Sequence, residues 1–177
     1  MDRGTPDPSK GGLPLPLTNR HLPSVHTLHE AALSADSVAH FWRTFMTIER
    51  SSPDVGYIAP EFYEELNFVQ TVRVGNVVHF SGVVAANPDA SCMAPGDFGK
   101  QLAAILGTYG KLLAEERMTF ANLVSVTIFT TDMASLVAHA AMLKEAFGDT
   151  PPASTLVEVK GLFSPDYLLE VAVIAAD

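Results

Sequence analysis

From Leu168 to Ile174 the chain is apolar at every position except Glu170. Successive side chains of a strand point to opposite faces. A strand of this kind therefore needs both of its faces kept from water, unlike the in–out alternation of a half-exposed antiparallel strand. That requirement constrains the fold more than any other feature. The chain must build a sheet, cover one face with its own helices and find a cover for the other.

Elements for such a sheet follow from pattern. Phe68–Val74 and Val77–Val84 are β-type runs around Gly75-Asn76, the signal of a tight hairpin. Ala85–Pro95 reads as a loop. Asp97 is placed to cap a helix to about Arg117, with Phe98, Leu102, Ile105, Leu106, Tyr109, Leu112 and Leu113 as its stripe. Leu123–Thr131 is rich in β-branched residues. Asp132 opens a second helix carrying Leu136, Ala140, Leu143 and Phe147, stopped by Gly148. Ser154–Lys160 and Tyr167–Ala175 complete the order ββαβαββ. The fold class expected is α+β, one mixed sheet with two helices on one face. Oligomerisation is expected to cover the other face.

Before this domain, residues 1–60 read as an extension and 61–177 as the domain proper. Met1 to Leu22 is rich in Pro, Gly and polar residues and reads as a tail. Ala35–Arg50 reads as an amphipathic helix with Val38, Phe41, Trp42, Phe45 and Ile48 on one face. Ser51–Pro60 reads as a loop.

Charge and cysteine usage narrow the function. The net charge is −9, which argues against nucleic acid as the main ligand. No apolar run is long enough to span a membrane, and no signal-like segment opens the chain, so neither membrane nor secretion is expected. Cys92 is the sole cysteine, which suits a reducing, cytoplasmic setting.

Glu170 is the strongest candidate for chemistry. A carboxylate in an apolar strand is desolvated unless paired, and desolvation makes it a usable general acid or base. The competing reading is a strand-end carboxylate paired with a lysine. Glu158 shares a face with Lys160 and reads as a solvated pair. His79 and Ser81 share a face of the second strand, where a structural histidine is the commoner case. His26 and His29 lack the companions a metal site needs, and Cys92 has no base beside it, so no metal is expected. No glycine-rich phosphate loop is present, and no cofactor is expected.

The hairpin Val72-Arg73-Val74-Gly75-Asn76 with Phe80-Ser81-Gly82, the segment Thr127–Met133, Pro152-Ala153-Ser154-Thr155 and the closing Leu169–Ala175 together resemble the reactive intermediate deaminase family (Rid, or YjgF). The resemblance implies a chorismate-mutase-like fold and a homotrimer with a small-molecule pocket between subunits. It implies hydrolysis of enamines or imines without metal or organic cofactor. The family's last-strand glutamate matches Glu170 and its pocket aromatic matches Phe68. The following glutamine matches Gln70. Ser81, Gly82 and Val83 match the second-strand segment that lines the pocket, and Tyr167 is read with them. The family's carboxylate-clamping arginine does not carry over. Its position holds Ser154, beside Thr155, and a second-helix asparagine is replaced by Ala140. Loss of a charged partner at a buried site weakens binding by about 2–5 kcal/mol. The substrate must then lack that carboxylate, or another cation such as Arg43 must supply the clamp.

Three readings follow: a divergent hydrolase working through Glu170, a pathway-specific enzyme catalysing a non-hydrolytic acid–base step, and a non-catalytic binding trimer.

Overall fold

The computed structural model describes residues 47–177. Six strands form one sheet in the order β1-β2-β3-β6-β4-β5. They are β1 Ile48–Ser51, β2 Thr71–Val74, β3 Val77–Val83, β4 Leu123–Thr130, β5 Ala153–Glu158 and β6 Leu169–Ala176. Neighbours pair antiparallel except β4 and β5, which are parallel. The α-helices are α1 Pro60–Glu65, α2 Phe98–Glu115, α3 Met133–Ala138 and α4 Ala140–Phe147.

Local chemistry sets these elements. Gly75 takes φ +61°, a conformation that side chains resist, and closes the two-residue turn between β2 and β3. The Asp97 side chain accepts from the Lys100 N–H at 3.0 Å and caps α2. Phe98, Leu102, Ile105, Tyr109, Leu112 and Leu113 of that helix are buried with Val78, Phe80, Val126, Ile128, Val171 and Val173 of the sheet. On the reverse face His79 is exposed, and Thr127, Ala172 and Ile174 are half-buried. The closing strand therefore has one face packed by its own chain and one apolar face only partly covered among the described residues.

Three expectations change. Residues 35–46 of the expected N-terminal helix lie outside the described residues, but its final turn is not helical. Ile48–Ser51 is a strand, paired from Ile48↔Val74 to Ser51↔Thr71. Ile48, Glu49 and Arg50 are exposed, so the helical period there buries nothing. Pairing instead satisfies the backbone groups of β2, which would otherwise be an open edge. The second helix is broken in two. His139 leaves helical geometry at φ −101°, ψ 11° while its ring lies 2.8 Å from the Ser135 carbonyl and stacks on Phe98. Finally, α1 starts at Pro60, where the expected loop ends, and runs through residues to which the sequence pattern assigns no element.

One irregularity positions the site. Phe80 pairs with Val173 and Val83 with Val171, so Ser81 and Gly82 together face the single residue Ala172. This β-bulge re-aims the end of β3.

Candidate active site

A cleft of about 260 Å³ opens at that bulge. Ser81, Gly82 and Glu170 form its sheet side. Ile58, Phe62, Leu66 and Phe68 come from the segment around α1, and Phe163 and Tyr167 from the loop before β6. Tyr57, Val84, Ala86 and Ala90 complete the lining. None of these residues is lysine, arginine or histidine.

Glu170 follows Leu169 and precedes Val171, both buried. Alternation along β6 turns Glu170 to the opposite face, where it pairs with Phe129 of β4. Among the described residues no hydrogen-bond donor and no cation engages its carboxylate. Desolvation by the surrounding apolar groups pushes its pKa above the usual glutamate value. Glu170 is thus a desolvated carboxyl group with no structural partner among the described residues.

Gly82 makes room for it. A β-carbon at position 82 would fall within the Glu170 carboxyl group, 2.8 Å from Cδ and 3.1 Å from Cγ. Only glycine allows the glutamate to lie across β3 in this way.

The hydroxyls of the lining residues differ in what they have left to offer. Tyr167 donates to the Ala90 carbonyl at 2.6 Å, and Ser81 to the Val69 carbonyl at 2.6 Å. Tyr57 is only 6% exposed, and its oxygen accepts from the Val84 N–H at 3.0 Å. Tyr109, behind the bulge, donates to the Val171 carbonyl at 2.5 Å.

Of the residues singled out from sequence, the cleft brings together Glu170, Phe68, Ser81, Gly82 and Tyr167. Gln70 and Val83 lie elsewhere. Gln70 is fully buried, accepting from the Tyr63 hydroxyl at 3.1 Å and donating to the Ser81 carbonyl at 3.3 Å, so it braces the bulge. Val83 is fully buried in the core, and Val84 takes the lining position. Ser154 and Thr155 are exposed on β5, at the edge of the sheet, and Ser154 donates to the Pro152 carbonyl at 3.1 Å. They do not line this chain's cleft. Arg43, His26 and His29 lie outside the described residues. Glu158 does not pair with Lys160. It accepts from the Met133 N–H at 3.3 Å, at the start of α3. Cys92 sits against the Asp166 carbonyl at 3.4 Å.

Sequence reasoning missed Tyr57, Ile58, Phe62, Leu66 and Phe163. The available signal was their apolar and aromatic density in segments read as a loop (Tyr57, Ile58) or given no element (Phe62, Leu66, Phe163). A buried side chain, Gln101, also frames the cleft. Its Nε2 donates to the Ala94 and Asp166 carbonyls at 2.9 and 2.8 Å, and its Oε1 accepts from Leu168 N–H at 2.9 Å. It ties the loop after β3 to the loop that carries Phe163 and Tyr167.

A mixed sheet with a bulge in β3 and a glutamate on its last strand defines a small-molecule-sized cleft on an α+β scaffold. The Endoribonuclease L-PSP family model matches residues 60–177, and the chain belongs to this family, also called YjgF or Rid. A RutC family protein of Pyrococcus abyssi is 27% identical over 108 residues, covering 61% of this chain and 84% of that protein. The 3-aminoacrylate deaminase RutC of Acinetobacter baylyi is 28% identical over 108 residues, covering 61% and 85%. Among solved structures, yeast Mmf1 superposes with a TM-score of 0.65 at 24% identity, covering 74% of this chain and 99% of that one. Rv2704 of Mycobacterium tuberculosis, of the YjgF/YER057c/UK114 family, gives 0.62 at 23%, covering 74% and 100%. These likenesses support the α+β fold expected from sequence. No helix among the described residues is long and apolar enough to cross a membrane.

Proposed function

We propose that this protein is a Rid-type hydrolase that deaminates a small, uncharged enamine or imine, with Glu170 as its general acid and base. The observation that carries the reading is the partnerless, desolvated carboxylate of Glu170 in an apolar cleft. A raised pKa keeps a larger fraction of the group protonated near neutrality, which suits a residue that must both give and take a proton.

The chemistry balances with one carboxyl group. Protonated Glu170 delivers its proton to the enamine carbon, producing an iminium ion beside the carboxylate. The carboxylate then accepts a proton from a water molecule as its oxygen attacks the iminium carbon. Glu170, protonated by that step, gives the proton to the carbinolamine nitrogen and takes one back from its hydroxyl as the C–N bond breaks, so ammonia leaves, a carbonyl forms and the carboxyl group ends protonated as it began. The anionic carboxylate also stabilises the cationic intermediate within the low-polarity cleft.

The relative named a 3-aminoacrylate deaminase supports the enamine class. Its named substrate carries a carboxylate, whereas no cation among the described residues lines the cleft and the chain has Ser154 at the family's arginine position. An uncharged substrate fits better. The net charge of −9, with no cation lining the cleft among the described residues, also favours a small molecule over nucleic acid. In the homotrimer that the resemblance implies, Ser154 and Thr155 of the exposed β5 edge would reach a neighbour's cleft.

The test is ammonia release from enamines and imines generated in situ, with and without a carboxylate. Glu170→Gln is expected to lower the enzyme-dependent rate by about 10²–10⁴-fold. Equal rates for wild type and Glu170→Gln would reject the role of Glu170. A non-hydrolytic acid–base step on an apolar substrate is the second reading, favoured by the largely aliphatic and aromatic walls. Substrate consumption without ammonia release would select it.

A further inference from the structure

Among the described residues of this chain that line the cleft, one hydroxyl keeps its proton available, and that hydroxyl lies outside the part of the chain matched by the family. Tyr57 precedes the matched residues 60–177. Its ring is buried and lines the cleft with Glu170. Its oxygen already accepts from the Val84 N–H at 3.0 Å. A phenol that accepts a backbone hydrogen bond retains its own proton as a donor, and among the described residues that proton has no acceptor. The other lining hydroxyls, of Tyr167 and Ser81, have donated to backbone carbonyls. Phe68, at the family's aromatic position, has no hydroxyl.

We infer that Tyr57 is a substrate-binding residue that donates a hydrogen bond to an uncharged carbonyl or imine group, while Glu170 beside it disfavours carboxylates. The inference rests on the reading of this cleft as the active site and adds the group that orients the substrate. Tyr57 supplies a donor and Glu170 an acceptor, facing one cleft. A planar group with an acceptor atom next to an N–H donor, as in an amide or an enaminone, satisfies both. A carboxylate can accept from Tyr57, but it offers no donor to Glu170, is repelled by that residue whenever it is ionised, and finds no cation among the described residues that line the cleft. Burial raises the Tyr57 pKa, outweighing the Val84 hydrogen bond that lowers it, and keeps the hydroxyl protonated. The Val84 N–H fixes the oxygen, so little rotational freedom is lost on binding.

The experiment uses the full chain and two probes of equal shape, benzamide and benzoate, titrated at neutral pH by NMR against wild type and Tyr57→Phe. Wild type is expected to bind benzamide at least about tenfold more tightly than benzoate, and Tyr57→Phe to weaken benzamide about five- to tenfold. Because the substitution also removes the acceptor for Val84 N–H, a second measurement uses unmutated protein labelled with ¹³Cζ-tyrosine. Saturating benzamide should shift the Tyr57 resonance. An unmoved resonance, benzamide affinity equal in both proteins, or benzoate bound as tightly as benzamide overturns the inference. The two readings separate cleanly. Full ammonia release by Glu170→Gln defeats the catalytic proposal and leaves the benzamide result standing. Unaltered benzamide binding by Tyr57→Phe defeats the Tyr57 assignment and leaves Glu170 in place.

Discussion

Gly82→Ala is the smallest change that probes how the site is held. Its φ lies outside the left-handed region, so alanine strains no backbone there. What the new methyl group meets is the Glu170 side chain, with Cδ at 2.8 Å and Cγ at 3.1 Å. Those atoms belong to a flexible side chain, so the fold yields by moving the glutamate to another rotamer. The stability cost is then about 0.5–1.5 kcal/mol, the scale of forcing one side chain from its preferred torsions. The catalytic cost is much larger. A general acid or base contributes about 10²–10⁴-fold and acts only within hydrogen-bond reach of the reacting atom. Gly82→Ala is therefore expected to lose at least about a hundredfold in ammonia release while remaining folded. The decisive assay is the double mutant. If alanine acts by displacing Glu170, adding it to Glu170→Gln lowers activity no further, because both changes remove the same function. Full activity in Gly82→Ala, or losses that multiply in the double mutant, would refute this account of the cleft.

Two further outcomes follow from the same geometry. Because desolvation raises the Glu170 pKa, the folded state holds its proton more tightly than the unfolded state does. The stability so gained is present below the ordinary value of 4.5 and is lost as pH rises through the higher folded value. Glu170→Gln should accordingly melt at a higher temperature than wild type at neutral pH, with the difference shrinking as the pH falls toward 4.5; a constant difference across that range would contradict the desolvated carboxylate. Gln101→Ala removes the partners of two carbonyls and one N–H around a fully buried side chain, so it should cost about 2–5 kcal/mol in urea unfolding. Unchanged stability would show that Gln101 does not brace the loops.

Much of this fold was legible because the relevant signals are local. The turn at Gly75-Asn76, the Asp97 and Asp132 caps, and the apolar stripe from Phe98 to Leu113 each act over a few residues. The strand at Ile48–Ser51 was hidden because pairing with β2, not its own pattern, decides its conformation. The break at His139 depends on a ring stacked on Phe98, a partner distant in sequence. At the site, Glu170 was conspicuous because it interrupts an apolar strand. Tyr57 was not, because a tyrosine in a Pro- and Gly-punctuated segment has no periodic context. Its role depends on which hydroxyls elsewhere are already bonded, and that emerges only in three dimensions. Gln70 and Ser81 show the converse, since polar residues that look available in sequence are engaged in bracing the bulge.

The position of β6 in the sheet has a consequence for how the protein is made. It is the last of the six strands to be synthesised, yet it lies between β3 and β4 and bonds to both. While a ribosome is still adding it, β1, β2 and β3 can pair with one another, and β4 with β5, but the two groups have nothing to join them. The transient intermediate exposes two ladder edges flanking an empty central lane. Closing that lane requires contacts between segments remote in sequence, which slows folding and leaves strand edges open to other chains. The carboxylate arrives on the same strand that fuses the halves, so a nascent chain has no cleft to lose before it has a sheet.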